Sequence, residues 1–516
     1  MLKRKKKRDL EDEDSYKGNT FQIIKRLVYY VGINKRLSYL LVLFITSNVI
    51  FSWITPLVFR SLVDDGLGGG IGATQGNIDT IIVLGTIFFS VTVVGVITRI
   101  AQGFIISKLA TNTMYNLRSE LFTKFQYLGL DYHESPKRTT GKKINYLTGD
   151  VNTIQELIQS GLLVSVSNFF IIFGSLTFMI ILSPILTVVS FLIVPVFAVI
   201  AGVLFKKVRK FFIELRERIA TVTSKLDESI MGMRIIQSFA VEDENYTEFN
   251  DANELERKTT MKAAKLMAFM PGIIILIITL GFSSLFLVSG ALIRQGSLSQ
   301  GTLVAFIFYL FTFFEPLFSL IGLLTLLQNS LAAGARIIRL LDEKIAIEEK
   351  NDAVSLVNTR GLIEYKNVNF SYNPGVPVLK NINIKIKEKE RLALVGYTGA
   401  GKSTFVKLLS RFYDPIQGEV LIDGKNLKDL KINSLRGKMG IVSQENFLFS
   451  GTIKDNIKFG KLDASDEEVI STAKQVQAHD FIMELENGYN TIVGERGNKL
   501  SEGQKQLISF ARALIL

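Results

Sequence analysis

The stretch "LALVGYTGAGKST" holds residues whose types and spacing name a chemistry. Gly396, Gly401, Lys402 and Ser403 satisfy the spacing G-x-x-x-x-G-K-[ST], with Thr398, Gly399 and Ala400 inside the turn and Thr404 after it. Glycines let successive backbone N–H groups curl around phosphate oxygens, and a helix starting where the turn ends adds positive potential at the same place. Lys402 suits the β- and γ-phosphates of a nucleotide, and the Ser403 hydroxyl suits a Mg²⁺ ion beside them. "LALVG" reads as an apolar strand and "KSTFVKLLSRF" as a helix, the context that separates a phosphate loop from an incidental glycine turn. A second small-residue turn precedes a helix in "LSEGQKQLISFARALIL", residues 500–516. The chain has no cysteine, which excludes disulfides and thiolate metal sites, and only two histidines, His133 and His479, which argues against a histidine-built metal centre.

A phosphate loop needs strands and helices of a soluble α/β platform, and that texture occupies only residues 341–516. "GLIEYKNVNFSY", "VLKNINIKIKEKERLALVGYTG" and "GEVLIDGKNL" alternate apolar and polar residues as half-buried strands do, whereas "ASDEEVISTAKQVQAHDFIMEL" has helical spacing. The preceding residues are different. Apolar residues make up 48% of the chain and mean hydropathy is +0.29, too apolar for an ordinary soluble enzyme. Six apolar stretches, at residues 37–59, 78–106, 158–182, 186–204, 269–291 and 303–327, each supply the roughly 20 residues that cross a bilayer as a helix. Ser183-Pro184 separates the third from the fourth as a tight hairpin.

Lys and Arg set the expected orientation. They crowd the segment before the first span (Lys3 to Arg8, Lys25, Arg26, Lys35, Arg36), the stretch between spans two and three (Arg118, Lys124, Lys137, Arg138, Lys142, Lys143) and that between spans four and five (Lys206, Lys207, Arg209, Lys210, Arg216, Arg218). The loop "VDDGLGGGIGATQGNID" has acids and no bases. The N-terminus, both long connections and the last third are therefore expected on the cytoplasmic side of a cell membrane. A net charge of +12 then fits the anionic face of a lipid bilayer, and no nucleic-acid partner is expected. The basic start reads mainly as a solvated tail that helps set topology, and Arg99, near the end of span two, as a snorkelling side chain.

Beyond the phosphate loop, "LSEGQ" (Leu500 to Gln504), "VSQENFLFSGTIKDNI" around Gln444, "NFSY" with Tyr372 about two dozen residues before the loop, and "VGERG" with Glu495 together resemble an ABC transporter of the exporter type (type IV), over nearly the whole chain. The resemblance implies a half-transporter: a basic segment (1–36), a six-helix α-helical transmembrane domain (37–340) and an α/β P-loop ATPase domain (341–516). It implies ATP and Mg²⁺ as cofactors, with Tyr372 stacking on adenine and Gln444 ligating Mg²⁺ or orienting the attacking water. Ser501, Gly503 and Gln504 would face the γ-phosphate held by a second half-transporter, so a dimer is expected. Two departures stand out. Glu502 replaces the glycine usual in the middle of the signature turn, and Leu507 stands where many exporters carry arginine. "GQKQLISFARAL" is most similar to halves of bacterial heterodimeric multidrug exporters.

In the family the strand beginning at "ALIL" ends in the Mg²⁺-binding aspartate and the general-base glutamate, followed later by a switch histidine. The resemblance therefore implies an ATP-binding domain incomplete at its C-terminus. His479 does not fit the switch role and reads as an exposed helix residue. "YHESPKRTTGKK" and "MRIIQSFAVEDENY", at the tips of the two long connections, resemble the family's coupling helices, with plain solvated turns as the alternative. The expected activity is ATP-driven export of amphipathic small molecules or lipids. The rival readings are an ATP-binding, non-hydrolysing regulatory half and a soluble P-loop enzyme. Glu315, in "FTFFEPLF", is expected to face the bundle interior or an aqueous cavity, either as a carboxylate favouring cationic cargo or as a structural carboxyl.

Overall fold

A computed structural model of the chain describes residues 25–26, 30, 35–71 and 76–516. The basic run Lys3 to Arg8 and most of the 1–36 segment lie outside these residues. The chain forms two compact units, Met1–Ser119 with Thr148–Ile338, and Glu120–Leu147 with Arg339–Leu516.

Six long helices carry the six apolar stretches: α1 (Lys35–Ser61), α2 (Ile78–Tyr127), α3 (Thr140–Leu182), α4 (Pro184–Met231), α5 (Glu242–Arg294) and α6 (Gln300–Asp342). Among the described residues, five of them are long and apolar enough to cross a membrane: all but α4, several of whose side chains lie outside the description. Helices α2, α4 and α5 have 50, 48 and 53 residues. At about 1.5 Å per residue each is more than twice as long as the ~30 Å hydrocarbon layer. The expected hairpin at Ser183 is a capped one. Its hydroxyl accepts from Leu186 N, and Pro184 takes the first helical turn, where no N–H is needed. Helix α6 runs through Pro316 without interruption.

Helices in lipid associate through close packing and interhelical hydrogen bonds. Both occur here. Phe178 stacks on Tyr309 at 5.4 Å, and the Tyr309 hydroxyl donates to the Trp53 carbonyl at 2.5 Å. The Trp53 indole packs against Gly174, where an added Cβ would come within 2.0 Å of the ring. Gly174→Ala must therefore displace Trp53, at a cost of about 1–3 kcal/mol. Trp53 is the chain's one tryptophan. The expected result is a shifted tryptophan emission maximum and a lowered thermal midpoint in the same purified protein. An unchanged emission spectrum would contradict the packing.

Among the described residues, π-turns extend the end of α1 at Leu62–Gly66 and interrupt α3 at Tyr146–Asp150 and Leu157–Leu162. The first places Asp64 to accept from Ser299 Oγ at 2.7 Å and Gly301 N at 2.8 Å, which ties the end of α1 to the start of α6. The second ends on Asp150, buried and gripped by Arg336 through both carboxylate oxygens at 2.6 and 3.0 Å.

The second unit holds an antiparallel sheet of order β2-β1-β3-β4, with β1 Ile363–Phe370, β2 Leu379–Ile386, β3 Gln417–Ile422 and β4 Lys425–Asn426. Asp423 and Gly424 both take positive φ and turn β3 into β4, the two-residue hairpin that Asp-Gly favours. The strand expected over "LALVG" is not formed. Residues 391–397 pair with no other strand, and Val395 and Tyr397 are 89% and 92% exposed. Apolar alternation makes a strand only where a neighbouring strand accepts its backbone hydrogen bonds, and the four-stranded sheet offers this segment none.

Candidate functional site

The glycine-rich loop 396–404, expected to bind phosphate, is mounted on the sheet through α7 (Lys402–Leu409). Phe405 of this helix stacks on Tyr365 of β1 at 4.0 Å and 14°, and the Tyr365 hydroxyl donates to the Phe405 carbonyl at 2.8 Å. Both rings are buried. Directly before α7, Gly399 and Gly401 have φ of 86° and 90°, and a Cβ at Gly401 would lie 2.8 Å from Leu379. Glycine is thus required at 401 for both conformation and space. Ala400 N donates back to the Tyr397 carbonyl, closing the turn.

Lys402 curls over this turn. Its Nζ donates to the carbonyls of Gly396 and Tyr397 at 2.7 and 2.9 Å, so the ammonium sits at the mouth of the loop. Ser403 is exposed and its hydroxyl has no hydrogen-bond partner among the described residues, whereas Thr404 is buried and its Oγ1 shares a hydrogen bond with the Tyr372 hydroxyl at 3.1 Å. Tyr372 is 44% exposed, which leaves ring surface open. The structure thus brings Tyr372 and the loop 396–404 together.

The second group lies on a different core. Helix α9 (Glu502–Leu514) packs its Ile508 and Ala511 with Ala473 of α8 (Asp466–Gln475) and with Ile453, Ile457 and Val493. Its start is a capping box: Ser501 Oγ accepts from Gln504 N, and Gln504 Oε1 accepts from Ser501 N at 2.9 Å. Both polar side chains are thereby fixed at the helix N-terminus. A Cβ on Gly503 would meet nothing within 4 Å, so this surface is open. Glu502 turns aside to Lys505 at 2.8 Å. Leu507, the other departure from the family pattern, packs against the helical core. Gln444 is exposed and makes no hydrogen bond among the described residues; none joins it, or Ser501, to the phosphate loop.

Several residues to which the sequence assigned no part in the site help to shape it. Arg512 donates to the carbonyls of Phe447 and Asn456 and to Asn456 Oδ1. Asn456 in turn bonds Phe449 N and O. Together they clamp the loop that follows Gln444, and burial holds the Arg512 guanidinium below its ordinary pKa. Glu134, Lys407 and Tyr413 gather around Tyr372. His479 differs from expectation: it is half-buried and hydrogen-bonded through Nδ1 to the Tyr489 hydroxyl at 2.9 Å, a packing role within the helical core.

Comparison with known proteins decides the family. Residues 38–317 match the ABC transporter transmembrane region, and residues 379–516 match the ABC transporter family. The chain belongs to the ABC transporters. YfiC, an uncharacterized ABC transporter ATP-binding protein of Bacillus subtilis (strain 168), is 30% identical over 492 residues, 95% of this chain and 80% of that protein. YgaD of the same organism, provisionally named a multidrug export ATP-binding/permease protein, is 32% identical over 494 residues, 96% of this chain and 85% of its own length. A Staphylococcus aureus (strain NCTC 8325 / PS 47) protein with the same provisional name is 33% identical over 464 residues, covering 90% and 80% of the two chains. This ABC transporter is a multi-pass membrane protein of the exporter type, with an ATPase domain fused behind its transmembrane region.

Proposed function

We propose that this chain is one half of an ATP-driven exporter that moves amphipathic small molecules or lipids outward across the cytoplasmic membrane. The observation that carries the reading is the placement of two phosphate-facing groups on separate cores of one unit. The loop 396–404 with Tyr372 offers an aromatic ring and an ammonium. The capped start of α9 offers Ser501 and an open Gly503. Among the described residues they share no hydrogen bond, which fits a composite site that a second half completes. That second half is proposed to be a different chain, with a homodimer as the other arrangement. The N-terminus and the ATP-binding domain would lie in the cytoplasm.

The donor set fits Mg·ATP. Gly396, Thr398, Gly399, Ala400, Gly401 and Thr404 would surround the phosphates, and the free Ser403 hydroxyl and the Gln444 amide are hard, neutral oxygen donors of the kind Mg²⁺ takes. Bound there, the ion would neutralise charge on the β- and γ-phosphates. Lys402 would leave its two carbonyls for the phosphates, Tyr372 would hold the base, and Ser501, Gly503 and Gln504 would close on the partner's nucleotide. Closure would favour the outward-facing state and hydrolysis would reset the pair. The multidrug export names of the relatives support the cargo class.

Glu315 offers a test of that cargo class. It is exposed on α6, 15 residues from the helix start, or about 22 Å, past the middle of a ~30 Å hydrocarbon layer. A carboxylate at that depth is costly against lipid and is expected in a water-filled path. In vesicles holding the assembled transporter, Glu315→Gln should slow uptake of cationic dyes about fivefold or more, on the order of one charge contact, and leave neutral dyes unaffected. Equal loss for both dye classes, or loss for neither, would rule out a cargo-facing role. Absence of any ATP-dependent dye transport in the unaltered protein would rule out export itself.

A further inference from the structure

The ring of Tyr372 is held from several sides. Its hydroxyl bonds Thr404, Phe370 and Tyr413 meet it edge-on at 5.0 and 5.2 Å, and Lys407 Nζ stands 6.0 Å from its centroid. Two of these four neighbours end on one carboxylate. Lys407 Nζ donates to both oxygens of Glu134 at 2.6 and 2.8 Å, and the Tyr413 hydroxyl donates to Glu134 Oε2 at 3.3 Å. Burial, and the neighbouring Glu134 charge after it, push the Tyr413 phenol up, so it remains a donor at any physiological pH. Glu134 lies 273 residues before Lys407, in the turn between α2 and α3, and belongs to the same compact unit. Among the described residues its side chain makes no hydrogen bond to the loop Gly396–Ser403, and its links run toward the aromatic side of the site.

We propose that Glu134 is a positioning residue for the nucleotide base. It holds Lys407 and Tyr413 against Tyr372, and so makes affinity for the base, but not for the phosphates, depend on the seating of the α2–α3 turn. The inference rests on the reading of Tyr372 as the base-stacking ring. Binding linkage is reciprocal: a turn that tightens base binding when seated is itself held more firmly when the base is bound. Phosphate contacts made by the loop bypass this linkage. The ion pair is part-exposed, with Lys407 at 27% and Glu134 at 43%. Its loss should therefore spare the fold and act mainly through the ring.

The test compares two ligands on the assembled full-length transporter in lipid nanodiscs: Mg·ATP, and Mg·tripolyphosphate, which has phosphates and no base. Glu134→Lys and Lys407→Glu should each weaken ATP about three- to fivefold, the range of a part-exposed charge pair. Glu134→Gln should give a smaller shift in the same direction. Tripolyphosphate affinity should stay within about twofold in all three. The double variant Glu134→Lys/Lys407→Glu, which restores the pair with its charges exchanged, should return ATP affinity to within about twofold of the unaltered protein. Equal weakening of both ligands, unchanged ATP affinity, or no recovery in the double variant would overturn the inference. Lys402→Ala in the same assay should weaken both ligands. If it does so while the Glu134 variants change nothing, the nucleotide site stands and only the positioning role falls. If Lys402→Ala binds both ligands normally, the site itself is misplaced and the inference falls with it.

Discussion

Lys402→Ala should reduce ATP-driven transport by the assembled transporter about 100-fold or more, the scale seen when one preorganised charge-stabilising group is removed. The expectation follows from where the ammonium sits. Among the described residues it is anchored by the carbonyls of Gly396 and Tyr397, beside a turn in which Gly396, Gly399 and Gly401 take positive φ. On the proposed reading, exchanging two carbonyl contacts for phosphate oxygens would bring a full positive charge against the most negative part of the nucleotide. Alanine keeps the helix start and removes the charge. Because these hydrogen bonds lie on an exposed loop, the variant should accumulate and unfold like the unaltered protein. Lys402→Arg keeps charge but not the compact ammonium, and should fall between the two. The measurement is dye transport together with ATP affinity. Full turnover in Lys402→Ala would mean that the partner's site suffices or that the loop does not bind phosphate.

The second large effect is on stability. Asp150 is 2% exposed, at the end of a π-turn in α3, and Arg336 of α6 meets both its oxygens. Removing one partner of a buried pair strands the other charge, at a cost of about 3–5 kcal/mol. The Arg336 side chain is 34% exposed, so water can partly reach the gap and the lower end, about 3 kcal/mol, is expected. Asp150→Asn removes the buried charge itself and should cost less. Asp150→Asn combined with Arg336→Met, which leaves no charge to strand, should be more stable than Arg336→Ala alone. Thermal midpoints of the purified protein in nanodiscs should follow the order unaltered, Asp150→Asn, Arg336→Ala. A reversal of the last two would show that stranding the Asp150 carboxylate costs little, against the buried-pair argument.

What could be read from the sequence alone was local in the chain. Six runs of apolar residues announce membrane helices because a bilayer demands about 20 such residues in succession. Gly396 to Thr404 announces a phosphate loop because its conformational and charge requirements fall on neighbouring residues. The capping of α9 by Ser501 and Gln504 is likewise a four-residue matter. Tertiary structure decided what depends on distant partners. "LALVG" has the alternation of a strand, yet a strand exists only beside another that accepts its hydrogen bonds, and no residue within the segment encodes that neighbour. Leu507 looked like a lost arginine until its packing against the helical core was visible, and His479 looked exposed until Tyr489 was found beside it. Asp150 and Arg336 lie 186 residues apart, and Glu134 and Lys407 lie 273 apart. Single charged residues in a chain with 60 basic and 48 acidic ones carry no mark of which will meet. Only folding, which brings a few of them to hydrogen-bond distance, selects the pairs that matter.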